Sequence, residues 1–313
     1  MKLSILTATY NRANLLKRLY ESILINLKVG IEVEWLIMDD GSSDETENVI
    51  SKIRDENKIR VMYLKQVNQG KMAAINHLMD YARGDLIIEC DSDDYFADNS
   101  FLYIKDAYEE SKYEKDLYGL CFLKYDQNGN NIGKEFKERK TTMFDLYFKQ
   151  QEDGEKAVAF FKDKRREYSY ELEGEEKFIT EARMYHKMDL KYKIKCYNEP
   201  VMVCEYQKDG YSKNINEVFK NNPKGYLKYF KEILTEHSMV GVQFKKRLYV
   251  IKHYILFCTL NKVKPMLKEI KGFLNKVLVV TLYIPGFIMT KKRFRLWLKR
   301  DLDNTWNGKY VMV

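Results

Sequence analysis

Apolar and polar residues alternate with a clear period over the first 90 residues. Short apolar runs, the right length for buried strands, are followed by longer segments in which apolar residues recur three or four positions apart, the spacing of an amphipathic helix. The pattern predicts strands at residues 3–8, 34–38, 60–64 and 85–90, and helices at about 13–27, 45–54 and 71–81.

Strands that alternate with helices indicate βαβ units and a largely parallel sheet. The predicted strands are apolar almost throughout, as expected when helices cover both faces of a sheet. We therefore predict an α/β fold in which a Rossmann-like, mostly parallel sheet carries helices on both faces.

The alternation weakens after about Tyr95, where the chain becomes rich in Lys and Tyr. From about Asn222 the pattern is helical to the end, and no internal repeat or low-complexity segment occurs. These changes predict one domain over 1–215, divided at residue 100, and a basic, amphipathic helical tail over 216–313.

The composition of the chain says more about its cellular environment than about its function. The net charge of +8 suggests an anionic partner, but it is equally compatible with a basic chain that is simply soluble. The five cysteines include no CxxC pair, which argues against a disulfide framework and a zinc site. Polar residues begin at Thr7, too early for a signal peptide, so we expect a reducing, cytoplasmic setting.

Polar residues follow three of the predicted strands, at 9–12, 39–42 and 91–94. In open α/β sheets ligands bind beyond the carboxyl ends of the strands, so we expect these three clusters to converge on one crevice. In an extended segment, Asp91 and Asp93 point the same way and offer hard oxygen ligands that suit Mg²⁺ or Mn²⁺. The alternative for this cluster is a solvated turn with an aspartate helix cap.

Four motifs together resemble those of glycosyltransferase family 2, which has the GT-A fold, and specifically its bacterial cell-surface polysaccharide type. They are Thr7-Ala8-Thr9-Tyr10-Asn11-Arg12, Asp39-Asp40-Gly41-Ser42-Ser43-Asp44, Asn68-Gln69-Gly70-Lys71 and Asp91-Ser92-Asp93-Asp94. The resemblance is strong over residues 1–100 and weaker over 100–215. Ala8 departs from the family, which often has Pro at this position.

The resemblance implies roles for individual residues. Tyr10 would stack on the nucleobase, and Asp40 would accept a hydrogen bond from a ring N–H, a pairing that favours uracil. Lys71 would meet phosphate or the donor, and Asp91 would hold ribose or the donor sugar. The metal ligand would be Asp93, with Asp94 beside it, and Thr7, Ala8, Arg12, Asn68 and Ser92 would complete the nucleotide-sugar site. The alternatives without a binding role are that Tyr10 lies in the core, that Asp40 caps a turn and that Lys71 is solvated.

Inverting members of this family need a carboxylate to deprotonate the acceptor hydroxyl. The resemblance places that base in an acidic pair at the start of a helix after a loop, and Gly174-Glu175-Glu176 matches this description. We predict Glu176 as the base, then Glu175, then Glu181. Because acids favour helix N-termini in any case, a purely structural role is the alternative. In the loop at 205–212, Asp209 stands where many relatives carry a metal- or phosphate-binding His.

The predicted tail combines apolar, basic and aromatic residues. Residues 277–290 are uncharged and mostly apolar but too few to span a bilayer. This composition is typical of a segment that lies on an anionic membrane surface. The alternative is a helical hairpin packed on the catalytic domain or on a second chain. The flanking residues are Lys262, Lys264, Lys268, Lys271, Lys276, Lys291, Lys292, Arg293, Arg295, Trp297, Lys299 and Arg300.

These observations predict an enzyme that moves a sugar from a nucleotide-sugar, with UDP as the expected nucleotide and Mn²⁺ or Mg²⁺ as the cofactor. The expected acceptor is a glycan or lipid-linked glycan, in surface glycan synthesis on the inner face of the cell membrane. No nucleic-acid partner is expected, and a homo-oligomer is possible. The alternatives are a metal-dependent nucleotidyltransferase, a nucleic-acid binder that uses the basic tail, and a non-catalytic scaffold.

Overall fold

The computed structural model describes residues 1–150, 152–205, 207 and 214–288. Within these ranges the strands form one nine-stranded sheet. The strands are β1 (Lys2–Thr9), β2 (Glu32–Asp39), β3 (Arg60–Lys65), β4 (Leu86–Glu89), β5 (Tyr95–Phe96), β6 (Leu117–Tyr125), β7 (Lys140–Thr141), β8 (Lys156–Phe161) and β9 (Lys193–Val203).

Helices separate the strands of the N-terminal half and dominate the C-terminal part of the described chain. The helices are α1 (Ala13–Asn26), α2 (Thr46–Asp55), α3 (Lys71–Met79), α4 (Ser100–Ser111), α5 (Met143–Phe148), α6 (Lys162–Arg165), α7 (Ala182–Asp189), α8 (Ile215–Asn221), α9 (Pro223–Glu236), α10 (Phe244–Leu260) and α11 (Phe273–Ile288). All strands and helices predicted for the first 90 residues are confirmed, with ends shifted by at most two residues.

The sheet is parallel in its first half and mixed in its second. The strand order is β3-β2-β1-β4-β8-β6-β9-β5, with β7 paired to β9. The four strands β3, β2, β1 and β4 run parallel, whereas β8 is antiparallel to both β4 and β6. The predicted α/β class is confirmed, and the predicted parallel arrangement describes the N-terminal half. The second half departs from it because β8 enters the sheet in the opposite direction.

Helices cover both faces of the sheet, as predicted. On one face α1, α2 and α4 pack against the strands through residues such as Leu19, Ile50 and Phe101. On the other face α3, α5, α7, α9 and α10 share one hydrophobic cluster with the sheet. This two-sided burial explains the continuous apolar character of the strands.

The C-terminal helices pack on the second face. Tyr226 and Phe230 of α9 stack on Phe257 of α10 at ring-centroid distances of 5.3 and 5.7 Å, and all three side chains are buried. The helices from α8 to α10, which the sequence analysis placed in a tail, therefore contribute to the core of the molecule. The expected boundary at residue 215 coincides with the first residue of α8.

None of the helices in the described ranges combines the length and the apolar character needed to cross a bilayer. The second basic stretch of the predicted tail, from Lys291 to Arg300 with Trp297, lies outside the described residues.

Candidate functional site

The loops after β1 and β2 meet at the carboxyl edge of the sheet. The backbone N–H of Asn11 donates to Ser42 Oγ at 2.9 Å, and the N–H of Ser43 donates to Asn11 Oδ1 at 2.9 Å. Asn11 has a positive φ of 52°, which asparagine tolerates better than most residues. The expected convergence of the first two polar clusters is confirmed by these contacts.

Asp40 organises the loop that precedes α3. Its buried carboxylate accepts hydrogen bonds from Gln66 Nε2 at 2.7 Å and from the backbone N–H groups of Gln69 and Gly70, both at 2.8 Å. These bonds use three of the roughly four acceptor positions of a carboxylate. Asp40 therefore fixes the start of α3, whatever else it binds.

Gly70 allows a close approach between two backbone segments. It has a φ of +93°, and a Cβ at this position would lie 2.1 Å from the carbonyl oxygen of Lys177. The Lys177 ammonium in turn donates to Asn68 Oδ1 at 3.0 Å and to the Asn68 carbonyl at 2.9 Å. The glycine is needed for contact between the loop before α3 and the segment before α7.

Lys71 follows this glycine and joins two carboxylates. Its ammonium lies 2.7 Å from Asp91 Oδ1 and 2.7 Å from Glu181 Oε1. Burial lowers the pKa of Lys71, but the charges of Asp91 and Glu181 outweigh burial and hold the pKa well above its usual value. Lys71 is therefore a permanent cation between the end of β4 and the start of α7.

Glu181 precedes the first residue of α7 and has a side chain that is only 13% exposed. Burial raises the pKa of Glu181 more than the Lys71 ammonium lowers it, so the net shift is upward. Burial also raises the pKa of Asp91, but the charges of Lys71 and Lys124 and the hydrogen bond from Lys71 together outweigh burial, so the net shift is downward. The two carboxylates that share Lys71 thus differ in basicity, and Glu181 is the stronger base.

Asp93 lies between two aspartates that are already paired. Among the residues that the structure describes, its carboxylate has no ion pair and is hydrogen-bonded only to the backbone of Asp93 itself, whereas Asp94 lies 3.0 Å from the ammonium of Lys124. Burial, together with the charges of Asp91 and Asp94, raises the pKa of Asp93 to about 7. A carboxylate in such a negative surrounding fits a divalent cation, which would compensate that charge. The donor set of Asp93 with Asp94 thus fits the expected Mn²⁺ or Mg²⁺.

A second group of possible ligands lies beside Asp94. The ligand atoms of Asp94, Glu155 and Cys204 lie within 4.8 Å of one another, and the thiol of Cys204 donates to Glu155 Oε2 at 3.3 Å. The ammonium of Lys124 is 3.5 Å from Glu155 and already supplies positive charge here. Because a thiol is a soft ligand, this group suits Mg²⁺ and Mn²⁺ less well than Asp93 does.

Sequence reasoning missed Arg18, on α1. Its guanidinium donates to the carbonyl of Asp93 at 2.7 Å, pairs with Glu205 and lies 4.5 Å from the centroid of the Tyr95 ring. Arg18 therefore holds the acidic loop at 91–94 in place. In the sequence Arg18 is one of three charged residues of the amphipathic helix α1, with Lys17 and Glu21, so a solvated position fits it equally well.

Glu176 is not part of the cluster of Lys71, Asp91 and Glu181, and its carboxylate instead binds the start of a helix. Its Oε1 accepts the backbone N–H of Lys224 at 2.7 Å, and its Oε2 accepts that of Gly225 at 2.8 Å. These are N–H groups of the first turn of α9, which have no partner within the helix itself. Both oxygens of the preferred base candidate are thus used as a helix cap, and Glu175 beside it is exposed. Of the three candidates, Glu181 is the one that immediately precedes α7.

The other expected nucleotide-sugar residues lie along the same edge of the sheet. Thr7 is buried and accepts a hydrogen bond from Trp35 Nε1 at 3.0 Å, Ala8 is half-buried, and Ser92 is buried. Tyr10, in contrast, is 51% exposed just beyond β1, and Arg12 immediately precedes α1. An exposed aromatic ring at this edge is available for stacking, whereas Thr7 has a structural partner. The expected loop residue Asp209 lies outside the described residues.

A cavity extends inward from Asp91, Lys71 and Glu181. It lies between the sheet, which contributes residues of β4, β6 and β8, and the helices α5 and α7. The same wall includes Glu155 and His186. Of the acidic cluster at 91–94, Asp91 is the residue that lines this cavity, together with its partners Lys71 and Glu181.

The family model for glycosyl transferase family 2 matches residues 4–168, which is more than half of the chain. The chain belongs to this family. The resemblance given by the four motifs is thereby confirmed, together with the fold that it implied.

Two relatives illustrate how far the similarity extends. MG060, an uncharacterized glycosyltransferase of Mycoplasma genitalium, is 32% identical over 130 residues, 40% of this chain and 44% of that protein. The GalNAc(5)-diNAcBac-PP-undecaprenol beta-1,3-glucosyltransferase of Campylobacter jejuni is 26% identical over 136 residues, 43% of this chain and 42% of that protein. The matches thus span less than half the length of these relatives.

Solved structures extend the likeness to most of the chain. TarS 1–349 of S. aureus in complex with UDP-GlcNAc superposes with a TM-score of 0.56 at 18% identity, covering 90% of this chain and 89% of that one. The mannosyltransferase PcManGT of Pyrobaculum calidifontis, in complex with GDP-Man and Mn²⁺, gives a TM-score of 0.54 at 13% identity, covering 97% and 87%. At these identities the comparison establishes the shared fold.

Because Glu176 caps the first turn of α9, we predict that its removal destabilises the protein. Glu176→Ala removes both acceptors from the first turn of α9, which should lower the free energy of unfolding by about 1–2 kcal/mol. Thermal unfolding would measure the change, with Glu175→Ala as the matched control, because Glu175 is the exposed neighbour. Equal melting temperatures for the two variants would contradict the capping role.

Proposed function

We propose that this protein is a glycosyltransferase that moves a sugar from a UDP-sugar to a hydroxyl group of a glycan acceptor, with inversion at the anomeric carbon. The observation that carries the proposal is the bridge from Asp91 through Lys71 to Glu181 at the mouth of the cavity. It brings a donor-side carboxylate, a permanent cation and a basic carboxylate into one cluster. Family membership supports the same reaction class.

We propose Glu181 as the general base, in place of Glu176. A base must hold an unshared pair of electrons toward the hydroxyl that it deprotonates, and its pKa should be raised toward the working pH. Glu181 meets the second requirement through burial, and it lines the cavity. In the transfer step Glu181 takes the proton of the acceptor hydroxyl, the oxygen bonds to the anomeric carbon, and the bond from that carbon to the diphosphate breaks. The electron pair leaves with the nucleoside diphosphate.

The donor diphosphate would be held by charge. Asp93, with Asp94 beside it, would bind Mn²⁺ or Mg²⁺, and such a cation neutralises the charge that develops on the leaving diphosphate. Lys71 gives the same entrance a fixed positive charge. Tyr10 would stack on the base, and the remaining acceptor position of Asp40 would receive the ring N–H of uracil. Thr7, Ala8, Arg12, Asn68 and Ser92 stay predicted members of this site.

The acceptor proposal rests on the C-terminal helices. Several apolar side chains of α11 are exposed, including Phe273 at 83% and Leu274 at 48%, and lysines flank them at Lys271 and Lys276. Exposed apolar residues beside basic ones suit an anionic membrane surface. We therefore propose a lipid-linked glycan acceptor and a position on the inner, cytoplasmic face of the cell membrane. The relative from Campylobacter jejuni, whose name states an undecaprenol-linked acceptor, is consistent with this proposal.

Donor binding can be tested by thermal stabilisation. UDP with Mn²⁺ should raise the melting temperature of the wild type, because a ligand that binds only the folded state stabilises it. Asp93→Ala should lose the manganese-dependent part of this rise, whereas Asp98→Ala, a change of an exposed nearby aspartate, should keep it. If no nucleotide or nucleotide-sugar shifts the melting temperature of the wild type, the glycosyltransferase proposal fails in favour of a scaffold.

Membrane attachment can be tested by flotation with liposomes. The protein should bind vesicles of anionic phospholipid at low salt, and less well as salt increases, because the lysines act through screened charge. Replacing both Phe273 and Leu274 by Ser should weaken binding several-fold. Tyr113→Ser is the control, because Tyr113 is 84% exposed but lies beyond α4. Equal binding to anionic and neutral vesicles, or none to either, would refute the proposal.

A further inference from the structure

His186 is a polar side chain with an unusual environment at the inner part of the cavity. It belongs to α7, is 3% exposed, and lines the same cavity as Asp91 and Glu181. Neither of its ring nitrogens has a hydrogen-bond partner among the described residues. Buried polar groups are nearly always hydrogen-bonded, so two unpartnered atoms on one ring point to a ligand.

Aromatic rings hold the imidazole in place. Phe144 meets it edge-on at 5.4 Å between centroids, and Tyr229 stacks on it at 5.6 Å. Burial, with a smaller contribution from the neighbouring His237, lowers the pKa of His186 well below its usual value. The ring is therefore neutral at pH 7 and offers one N–H donor and one nitrogen acceptor. It is a fixed, uncharged recognition group.

Part of the cavity lining is apolar. Met143, Val158, Phe160 and Ala182 line the cavity, and all four are buried. The charged residues of the lining have partners of their own: Lys71 pairs with Asp91 and Glu181, Lys124 pairs with Glu155, and the ammonium of Lys156 donates to the carbonyl of Asp153 at 2.9 Å. The apolar side chains and the imidazole are therefore the part of the lining that suits an uncharged group.

We propose that His186 forms a subsite for the acetamido group of an N-acetylhexosamine, carried by the transferred sugar. This inference rests on the proposed glycosyl transfer, because the sugar enters the cavity with its anomeric carbon at the charged entrance. The amide of an acetamido group provides a carbonyl for the imidazole N–H, and its methyl group matches the apolar wall. A hydroxyl group in place of the acetamido group would also hydrogen-bond to the imidazole, but it has no methyl group to pack against the apolar wall.

A carboxylate fits this position less well. The cavity is lined by four carboxylates, of Glu89, Asp91, Glu155 and Glu181, against three lysines, Lys71, Lys124 and Lys156, so its charge disfavours the acid group of a hexuronic acid. Two of the lysines are already paired with these carboxylates, Lys71 with Asp91 and Glu181 and Lys124 with Glu155. The neutral polar substituent is therefore the better match.

The test compares pairs of donors that differ in one substituent. Calorimetry in the presence of Mn²⁺ would measure the binding of UDP, UDP-GlcNAc, UDP-Glc, UDP-GalNAc, UDP-Gal and UDP-glucuronic acid. The wild type should bind at least one acetamido donor about tenfold more tightly than its hydroxyl counterpart. His186→Phe keeps an aromatic ring in the cluster but removes both nitrogens, and it should abolish this preference while binding UDP as the wild type does.

Two further variants separate recognition from packing. His186→Gln retains a donor and an acceptor, and it should restore part of the preference. His237→Phe changes a second buried ring of the same cluster, whose centroid lies 5.5 Å from that of His186, and it should leave the preference intact.

The outcomes distinguish the two proposals. If the wild type binds UDP but has no acetamido preference, or prefers UDP-glucuronic acid, the His186 subsite is wrong and the glycosyltransferase proposal stands. If His186→Phe folds, binds UDP and keeps the preference, the subsite is likewise wrong. If the wild type binds neither UDP nor any UDP-sugar, both proposals fall together.

Discussion

The ammonium of Lys71 is the contact on which the site depends. It holds Asp91, at the end of β4, and Glu181, at the start of α7, residues that are far apart in sequence. Removing one partner of a buried ion pair typically costs about 3–5 kcal/mol, because the remaining charge stays unpaired. Asp40 sets the position of Lys71 by binding Gly70, and the absence of a side chain at Gly70 lets this loop touch the segment before α7. The end of β4 and the start of α7 are thus held together by one cation.

The sequence was sufficient to predict the part of the fold in which local pattern and tertiary role agree. In the parallel half, β1, β2 and β4 are buried on both faces, the edge strand β3 is partly buried, and each connection is a helix. Apolar runs and helical spacing in the sequence therefore correspond to the observed strands and helices. The acidic cluster at 91–94 could be predicted for the same reason, because it ends a strand. The mixed half could not be predicted in this way, since β5 and β7 have only two residues each and β8 reverses direction.

The sequence could not separate the candidates for the base because Glu176 and Glu181 lie in the same acidic segment. The available signal was an acidic residue near the start of a helix, and both glutamates fit it. Glu176 serves α9, a contact across 49 residues to Gly225, whereas Glu181 precedes α7. Only the folded chain reveals which acid caps a distant helix and which one meets Lys71. The partnerless nitrogens of His186 are equally invisible in sequence, where a lone histidine on a helix has no distinguishing mark.

The assignment of Glu181 as the base is tested most directly by the turnover number for a UDP-sugar that the protein accepts, measured for Glu181→Gln and Glu176→Gln at a temperature where both are folded. Loss of a general base typically lowers the rate by about 10²- to 10⁴-fold. We expect such a loss for Glu181→Gln, with UDP affinity unchanged because the glutamine carbonyl can still accept a hydrogen bond from Lys71. Glu176→Gln should retain the rate within about threefold, since it acts on stability. The opposite ranking would contradict the assignment and return the base to Glu176.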